Sequence, residues 1–276
     1  MAVAFAAQRV VEANPFLAPK ARPLVVGHRG VQLLHQENTL AGFRRAVALG
    51  LDAIELDVRL TRDGRAVVFH DASAERLCGV RRAIADMTWD EVARLRIQRE
   101  LRRAPICYVR EERVSLLSEV LAEVGHAIAI NIELKPRWFG DDVAAATAAE
   151  VAAAGVGGRV IVTSYDPRKL RDTSRADASL ALGYCWNSSL LGGGRRIVDR
   201  VLASSRVRAV GADHELLTDD TVALLRRAGI AVGTHVVFPL DGRPTPAHVV
   251  ERVLEQRLDW VESDDPERLQ QLLAAG

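Results

Sequence analysis

The stretch Asp52-Ala-Ile-Glu-Leu-Asp-Val-Arg59 reads as a short buried strand with two unlike faces. Side chains alternate along a strand, so Glu55 and Asp57 point one way and Ile54, Leu56 and Val58 the other. Two acids on an inward face are costly to bury unless something cationic pairs with them. A divalent metal suits that place, because hard cations take oxygen ligands. The competing reading is a pair of surface acids on an edge strand. Apolar residues on both flanks, and the segments around this one, weigh against it.

Working outward, Thr61-Arg-Asp-Gly64 is a turn, and Arg65 to His70 returns as a short strand. Upstream, Leu24-Val-Val-Gly-His28 is a buried strand with a polar end. Asn38 then caps a helix that runs to about Leu49 and stops at Gly50. Residues 13–23, with Pro15, Pro19 and Pro23, form an irregular lead-in. Residues 72–113 are polar and irregular, with a brief helix near Thr88 to Leu95, as in an insertion on a barrel loop.

From residue 114 the alternation is regular. Helices are expected at 115–124, 141–154, 167–175, 194–205, 218–228, 246–257 and 265–274. Strands are expected at 127–134, 159–164, 179–184, 207–213, 230–236 and 258–263. With the two strands before the insertion this makes eight strand–helix units. Many of the strands are continuous apolar runs, as parallel strands covered on both faces require. The expectation is one (β/α)8 TIM barrel over residues 1–276, with residues 72–113 inserted after the second strand. A doubly wound open sheet is the alternative, since periodicity alone does not show closure.

Composition narrows the function classes. Hydrophobic residues make up 49% of the 276, enough for a large core. A net charge of +1 gives no broad field for nucleic acid or an anionic membrane. Cys78, Cys107 and Cys185 are odd in number and widely spaced, so neither a disulfide framework nor a zinc motif follows. The apolar run in residues 1–12 lacks the basic start of a secretory signal and is too short to span a bilayer. A cytoplasmic protein is expected. Only Lys20, Lys135 and Lys169 occur among the 37 basic residues. A lysine that survives that bias marks a place where a compact ammonium is wanted.

Barrels of this kind gather their chemistry at the C-terminal ends of the strands. There the sequence places His28-Arg29, Glu55 and Asp57, His70-Asp71, and Asn131, Glu133 and Lys135 on one face. Asp213-His214 and His235 follow on later strands. Glu55, Asp57 and Glu133 offer three hard oxygen ligands, which suits Mg²⁺ or Ca²⁺; zinc would favour His or Cys. Arg29 and Lys135 add the positive charge that a phosphoryl group needs in its transition state. His28 and His70 can serve as base and acid on opposite sides of phosphorus. A Walker A motif and a G-x-S-x-G motif are both missing from the sequence, which disfavours a kinase or a serine hydrolase.

These segments resemble the glycerophosphodiester phosphodiesterase family. The resemblance is carried by His28-Arg-Gly30, Glu37-Asn-Thr39, Ile54-Glu-Leu-Asp-Val58, Thr61-Arg-Asp-Gly64, Val67-Val-Phe-His-Asp71 and Ile132-Glu-Leu-Lys135. Weaker matches are Asp86-Met-Thr88, Leu117-Ser-Glu-Val-Leu121 and Asp264-Asp-Pro266. The resemblance implies a barrel that cleaves glycerophosphodiesters to glycerol 3-phosphate and an alcohol. It implies that Glu55, Asp57 and Glu133 hold the metal, that His28 and His70 are the acid–base pair, and that Arg29 and Lys135 contact phosphate. It also implies that the substrate's own glycerol hydroxyl attacks phosphorus, giving a cyclic phosphate that water opens. Glu37 takes a supporting part beside His28 or the metal. Asp71 either orients His70 or simply ends the strand.

Two departures bear on the pocket. Val232-Gly-Thr-His-Val-Val237 lacks the Trp and Asn that the family carries near strand seven, and Trp260 and Glu262 replace smaller or apolar residues on strand eight. Trp260 is expected to fill the lower barrel, and Phe5, Val10, Val11, Phe16 and Leu17 to close its bottom. Residues 96–113 match nothing in the family, and Ser115-Leu116 stands where Pro-Thr is usual. A lysophospholipase D acting on a longer lipid is the alternative within the class. Outside it stand a catalytically silent phosphate- or lipid-binding barrel, and a sugar-processing barrel with Glu55 and Glu133 as its acid pair.

Overall fold

The computed structural model describes residues 14–98, 112–135, 142–186, 206–238 and 245–275, with 199, 203 and 204 between. Ten strands occur among them: β1 (Leu24–Gly27), β2 (Ala53–Leu60), β3 (Ala66–Val68), β4 (Ser115–Leu116), β5 (Ala129–Leu134), β6 (Val160–Ser164), β7 (Ala181–Trp186), β8 (Val207–Ala212), β9 (Ala231–Val237) and β10 (Trp260–Ser263). Eight of them pair in parallel in the order β1, β2, β5, β6, β7, β8, β9, β10. The ring closes where Val26 and Gly27 pair with Ala53 and Ile54. The open-sheet alternative is therefore excluded, and the (β/α)8 barrel holds.

Helices follow the strands. They are α1 (Leu40–Ala48), α2 (Glu75–Cys78), α3 (Trp89–Val92), α4 (Leu117–Val124), α5 (Val143–Ala154), α6 (Pro167–Ala176), α7 (Asp219–Arg227), α8 (Ala247–Glu255) and α9 (Pro266–Ala275). The outward face of the barrel and the inner faces of α1 and α4 to α9 form one buried layer, from Val25 and Ile54 to Val261 and Leu269. Local signals set the helix ends. Pro167 starts α6 behind an Asp166 cap, and Gly155 ends α5 at φ 68°. No helix among the described residues is long and apolar enough to cross a membrane.

β2 outruns its neighbours. Beyond Val58 it leaves the barrel and pairs antiparallel with β3, which pairs in turn with β4. Around this flange the insertion packs a second core of Phe69, Leu77, Ile84, Met87, Val92, Leu95, Ile97 and Val114. The insertion is thus more regular than its polar sequence suggested: α2 went unforeseen, and Ser115-Leu116 is strand rather than the first turn of α4. Most of the helix expected at 194–205 lies outside the described residues.

The expectation that Asn38 caps α1 is overturned. Thr39 is the cap, its hydroxyl accepting from the Gly42 amide at 3.3 Å. Asn38 takes a left-handed backbone, φ 59°, and turns its amide to Asp57. Asparagine tolerates that conformation because its short polar side chain finds a local partner.

Candidate active site

The barrel interior changes character from bottom to top along most of its strands. Its lower layer is Val26, Ala53, Ala129, Ile161, Ala181, Ala209 and Trp260, closed from below by Phe16. The Phe16 and Trp260 rings meet edge to face at 5.7 Å. Trp260 therefore fills the lower barrel, and the lead-in closes it as expected. Phe5, Val10 and Val11 lie outside the described residues. The indole lies where a side chain at Gly233 would be: a Cβ there would sit 1.9 Å from it.

Two residues further along the same faces, five strands turn polar with His28, Glu55, Asn131, Thr163 and Glu262, whereas β7 and β8 carry Gly183 and Gly211. Asp57 pairs in register with Glu133 and Glu55 with Asn131 across β2 and β5. This brings Glu55, Asp57 and Glu133 together, with a donor oxygen from each within 4.8 Å of the others, all buried. Lys135, at the end of β5, bridges two of them: its Nζ lies 3.2 Å from Asp57 Oδ1 and also contacts Glu133 Oε1. Arg29, held at φ 53°, gives its backbone N–H to Glu55 at 3.0 Å and sets its Nε 3.3 Å from Asp57.

Charge is not balanced here. Burial pushes Asp57 up, but Lys135, Arg29, His70 and the Asn38 amide outweigh it and hold Asp57 well below the usual carboxylate range. Asn38 clasps Asp57 twice, donating to Oδ2 at 2.8 Å and accepting from its backbone N–H at 3.2 Å. Glu55 goes the other way. Burial, then the charges of Asp57, Glu262 and Glu133, push it well up, and Arg29 offsets only part. Lys135 and Arg29 are both raised, because the acids around them outweigh the cost of burial.

This donor set fits a divalent cation. Three carboxylates face two cations, and one of those, Arg29, is shared with Glu37 through a 2.8 Å hydrogen bond. The buried Asp57 Oδ1 and Glu133 Oε1 receive, among the described residues, only the Lys135 ammonium. Surplus negative charge on hard oxygen donors is what a divalent ion would relieve.

The two histidines flank this cluster. His28, just past β1, has its Nδ1 2.6 Å from Asp264, and its Nε2 reaches to 4.0 Å from Glu55. His70 has its Nδ1 2.6 Å from Asp71. An ionised carboxylate only accepts, so each Nδ1 carries a proton and each Nε2 is left for other work. Asp71 thus contacts the His70 imidazole directly, as the orienting alternative requires. Glu37 is buried between the guanidiniums of Arg29 and Arg76.

Other candidates stand apart. Asn131, in register with Glu55, donates to Glu262 at 2.8 Å and accepts from Thr163 at 2.8 Å. His235 lies 3.5 Å from Glu262, and that pairing raises the imidazole despite its burial. His214 opens a short 3-10 turn beyond β8.

Sequence reasoning missed four contributors. Asp264 was visible only as part of a weak motif, and Asn38 was read as a cap. Arg76 sat in a segment read as irregular. Arg59 donates to the carbonyls of His70 at 2.8 Å and Lys135 at 3.4 Å, tying two strand ends together. The signal that could have found Arg76 is the unbalanced charge of Glu37 and Asp71.

Comparison with known proteins agrees with this geometry. The sequence model of the glycerophosphoryl diester phosphodiesterase family matches residues 28–268. A glycerophosphodiester phosphodiesterase from Caldanaerobacter subterraneus subsp. tengcongensis is 28% identical over 264 residues, 92% of this chain and 99% of the relative. A crystal structure from Silicibacter pomeroyi with the same family description is similar at TM-score 0.83 and 23% identity, covering 96% of this chain and 98% of that one. An Oleispira antarctica phosphodiesterase solved with the product sn-glycerol-3-phosphate gives TM-score 0.71 at 20% identity, covering 92% and 97%. The last two speak to the fold, and the first two to the family. The chain belongs to the glycerophosphoryl diester phosphodiesterase family.

Proposed function

We propose that the chain hydrolyses small glycerophosphodiesters to glycerol 3-phosphate and an alcohol, with His28 and His70 moving the protons. One observation carries the reading: three buried carboxylates, two cations and two imidazoles meet at the barrel mouth, each imidazole fixed through Nδ1 by its own acid. Glu55, Asp57 and Glu133 would hold a divalent ion, Mg²⁺ or Ca²⁺ by the all-oxygen donor set. When bound, that ion supplies positive charge beside the phosphoryl oxygens.

Arg29 and Lys135 place further positive charge at the phosphoryl group, where it grows during displacement. His28 and His70 present Nε2 as base and acid, one taking a proton from the attacking hydroxyl and the other giving one to the leaving oxygen. In the family's chemistry the attacking hydroxyl is the substrate's own. The roles then reverse as water opens the cyclic phosphate.

The longer-lipid alternative needs an apolar path to the mouth. Among the described residues the exposed large hydrophobics are only Leu34 and Leu272, and Phe16 is committed beneath the barrel. The test is release of glycerol 3-phosphate from glycerophosphocholine and glycerophosphoethanolamine, with Mg²⁺ or Ca²⁺ and then with EDTA. Turnover by the wild type that is lost with EDTA, in His28→Ala and in His70→Ala supports the reading. Full turnover by either histidine variant contradicts it.

A further inference from the structure

We propose that Arg76 is a positioning residue that fixes His70 and Arg29 together, through Asp71 and Glu37. The inference rests on the parts given above to His70 and Arg29. Arg76 lies on α2, and its guanidinium spans two carboxylates. Nε and Nη2 donate to the two oxygens of Asp71 at 2.5 and 3.0 Å, and Nη1 and Nη2 donate to the two oxygens of Glu37 at 2.8 Å each. Asp71 Oδ1 is also 2.6 Å from His70 Nδ1, and Glu37 Oε1 accepts from Arg29 at 2.8 Å. A continuous line of short polar contacts therefore runs from His70 through Asp71, Arg76 and Glu37 to Arg29.

Its geometry limits what can replace it. Both oxygens of each carboxylate are engaged, so neither acid can rotate without breaking a contact. Only a planar fork meets two carboxylates in this way; an ammonium is a single point. Glu37 is fully buried and depends on its two guanidiniums for compensation. Arg76 is itself held in place, because the next residue, Leu77, is buried in the insertion's own core. The insertion thus supplies the clamp that sets the imidazole on one side of the site and the guanidinium on the other.

The test uses Arg76→Lys, which keeps the charge and loses the fork, with Arg81→Ala as a control on an exposed neighbour. Arg76→Lys is expected to lower kcat for glycerophosphocholine about 10²-fold, the scale of a misplaced catalytic group, and to raise KM. Arg81→Ala should do neither. In an Arg29→Ala background the KM cost should shrink to under about threefold. The imidazole ¹⁵N spectrum of His70 should show one Nδ1–H tautomer in the wild type and a mixture in Arg76→Lys. Wild-type kcat in Arg76→Lys, an equal KM cost in the Arg29→Ala background, or an unchanged His70 spectrum would overturn the proposal. If the wild type turns over no glycerophosphodiester, the functional reading fails, and the His70 spectrum still decides the positioning.

Discussion

The lower and upper halves of the barrel interior are built from the same strand faces and do opposite things. On β2, Ala53 belongs to the apolar plug, while Glu55 and Asp57 belong to the charged mouth. On β5, Ala129 gives way to Asn131 and Glu133, and on β10 Trp260 gives way to Glu262. The change takes one step of two residues, about 7 Å of strand rise. Below that level, shape and apolar contact decide the side chains. Above it, the same face carries acids whose repulsion is met in part by Arg29 and Lys135, and which could hold a metal ion. The barrel separates stability from chemistry by height.

That division can be broken in both directions, and the largest effect is expected in the mouth. Glu55→Gln removes one of the three carboxylates proposed to hold the ion and should lower turnover by about 10³-fold. It also removes a charge that burial and three neighbouring acids disfavour. The metal-free variant should therefore melt at or above the wild-type temperature. A lower melting temperature would mean that the Glu55 charge stabilises the fold and would undo the division.

Below, Trp260→Ala should cost about 3–5 kcal/mol of stability, the price of emptying a buried aromatic site. Turnover per folded molecule should change little, because the indole lies beneath the acids. Gly233→Ala should cost about 1–3 kcal/mol by forcing the indole aside, and Trp260→Leu in the same chain should recover part of that loss. Thermal melts and initial rates on the same samples check both statements.

The smallest effect sharpens the boundary itself. Burial lowers His235, but its contact with Glu262 more than compensates, so the folded imidazole binds its proton more tightly than the unfolded one. Its contribution is then fully present below the ordinary imidazole value and is lost as pH rises through the raised one. Glu262 is held below the usual carboxylate range despite burial, so its contribution is present above that range and lost as pH falls. Melting temperature against pH should show a shallow alkaline decline that Glu262→Gln removes. A decline of equal size in the variant would place its origin elsewhere.

The fold was legible because its signals are local. Apolar runs such as Arg159 to Ser164, stopped by Gly155 or Pro167, mark parallel strands and helices without any knowledge of their neighbours. The clustered acids were legible for the same reason: Glu55 and Asp57 share a face by strand period alone. What stayed hidden depends on distance in the chain. Asp264 meets His28 only because β10 closes against β1. Arg76 meets Glu37 only because the insertion folds back over the mouth. Asn38 misled because one short amide can cap a helix or clasp a carboxylate, and only the nearness of Asp57 decides between them. Trp260 was read correctly as a plug, whereas the three-strand match of its indole to Gly233 and Gly211 needed the closed barrel.

The most direct test of the account is calorimetric titration of the metal-free protein with Mg²⁺ and with Ca²⁺. Wild type would be compared with Glu55→Gln, Glu133→Gln and His70→Ala. The account predicts one ion per chain in the wild type and in His70→Ala, and binding weakened or lost in both carboxamide variants. Undiminished binding in Glu55→Gln and Glu133→Gln would contradict it, since the acids at the mouth would then not be the ligands on which the chemistry is built.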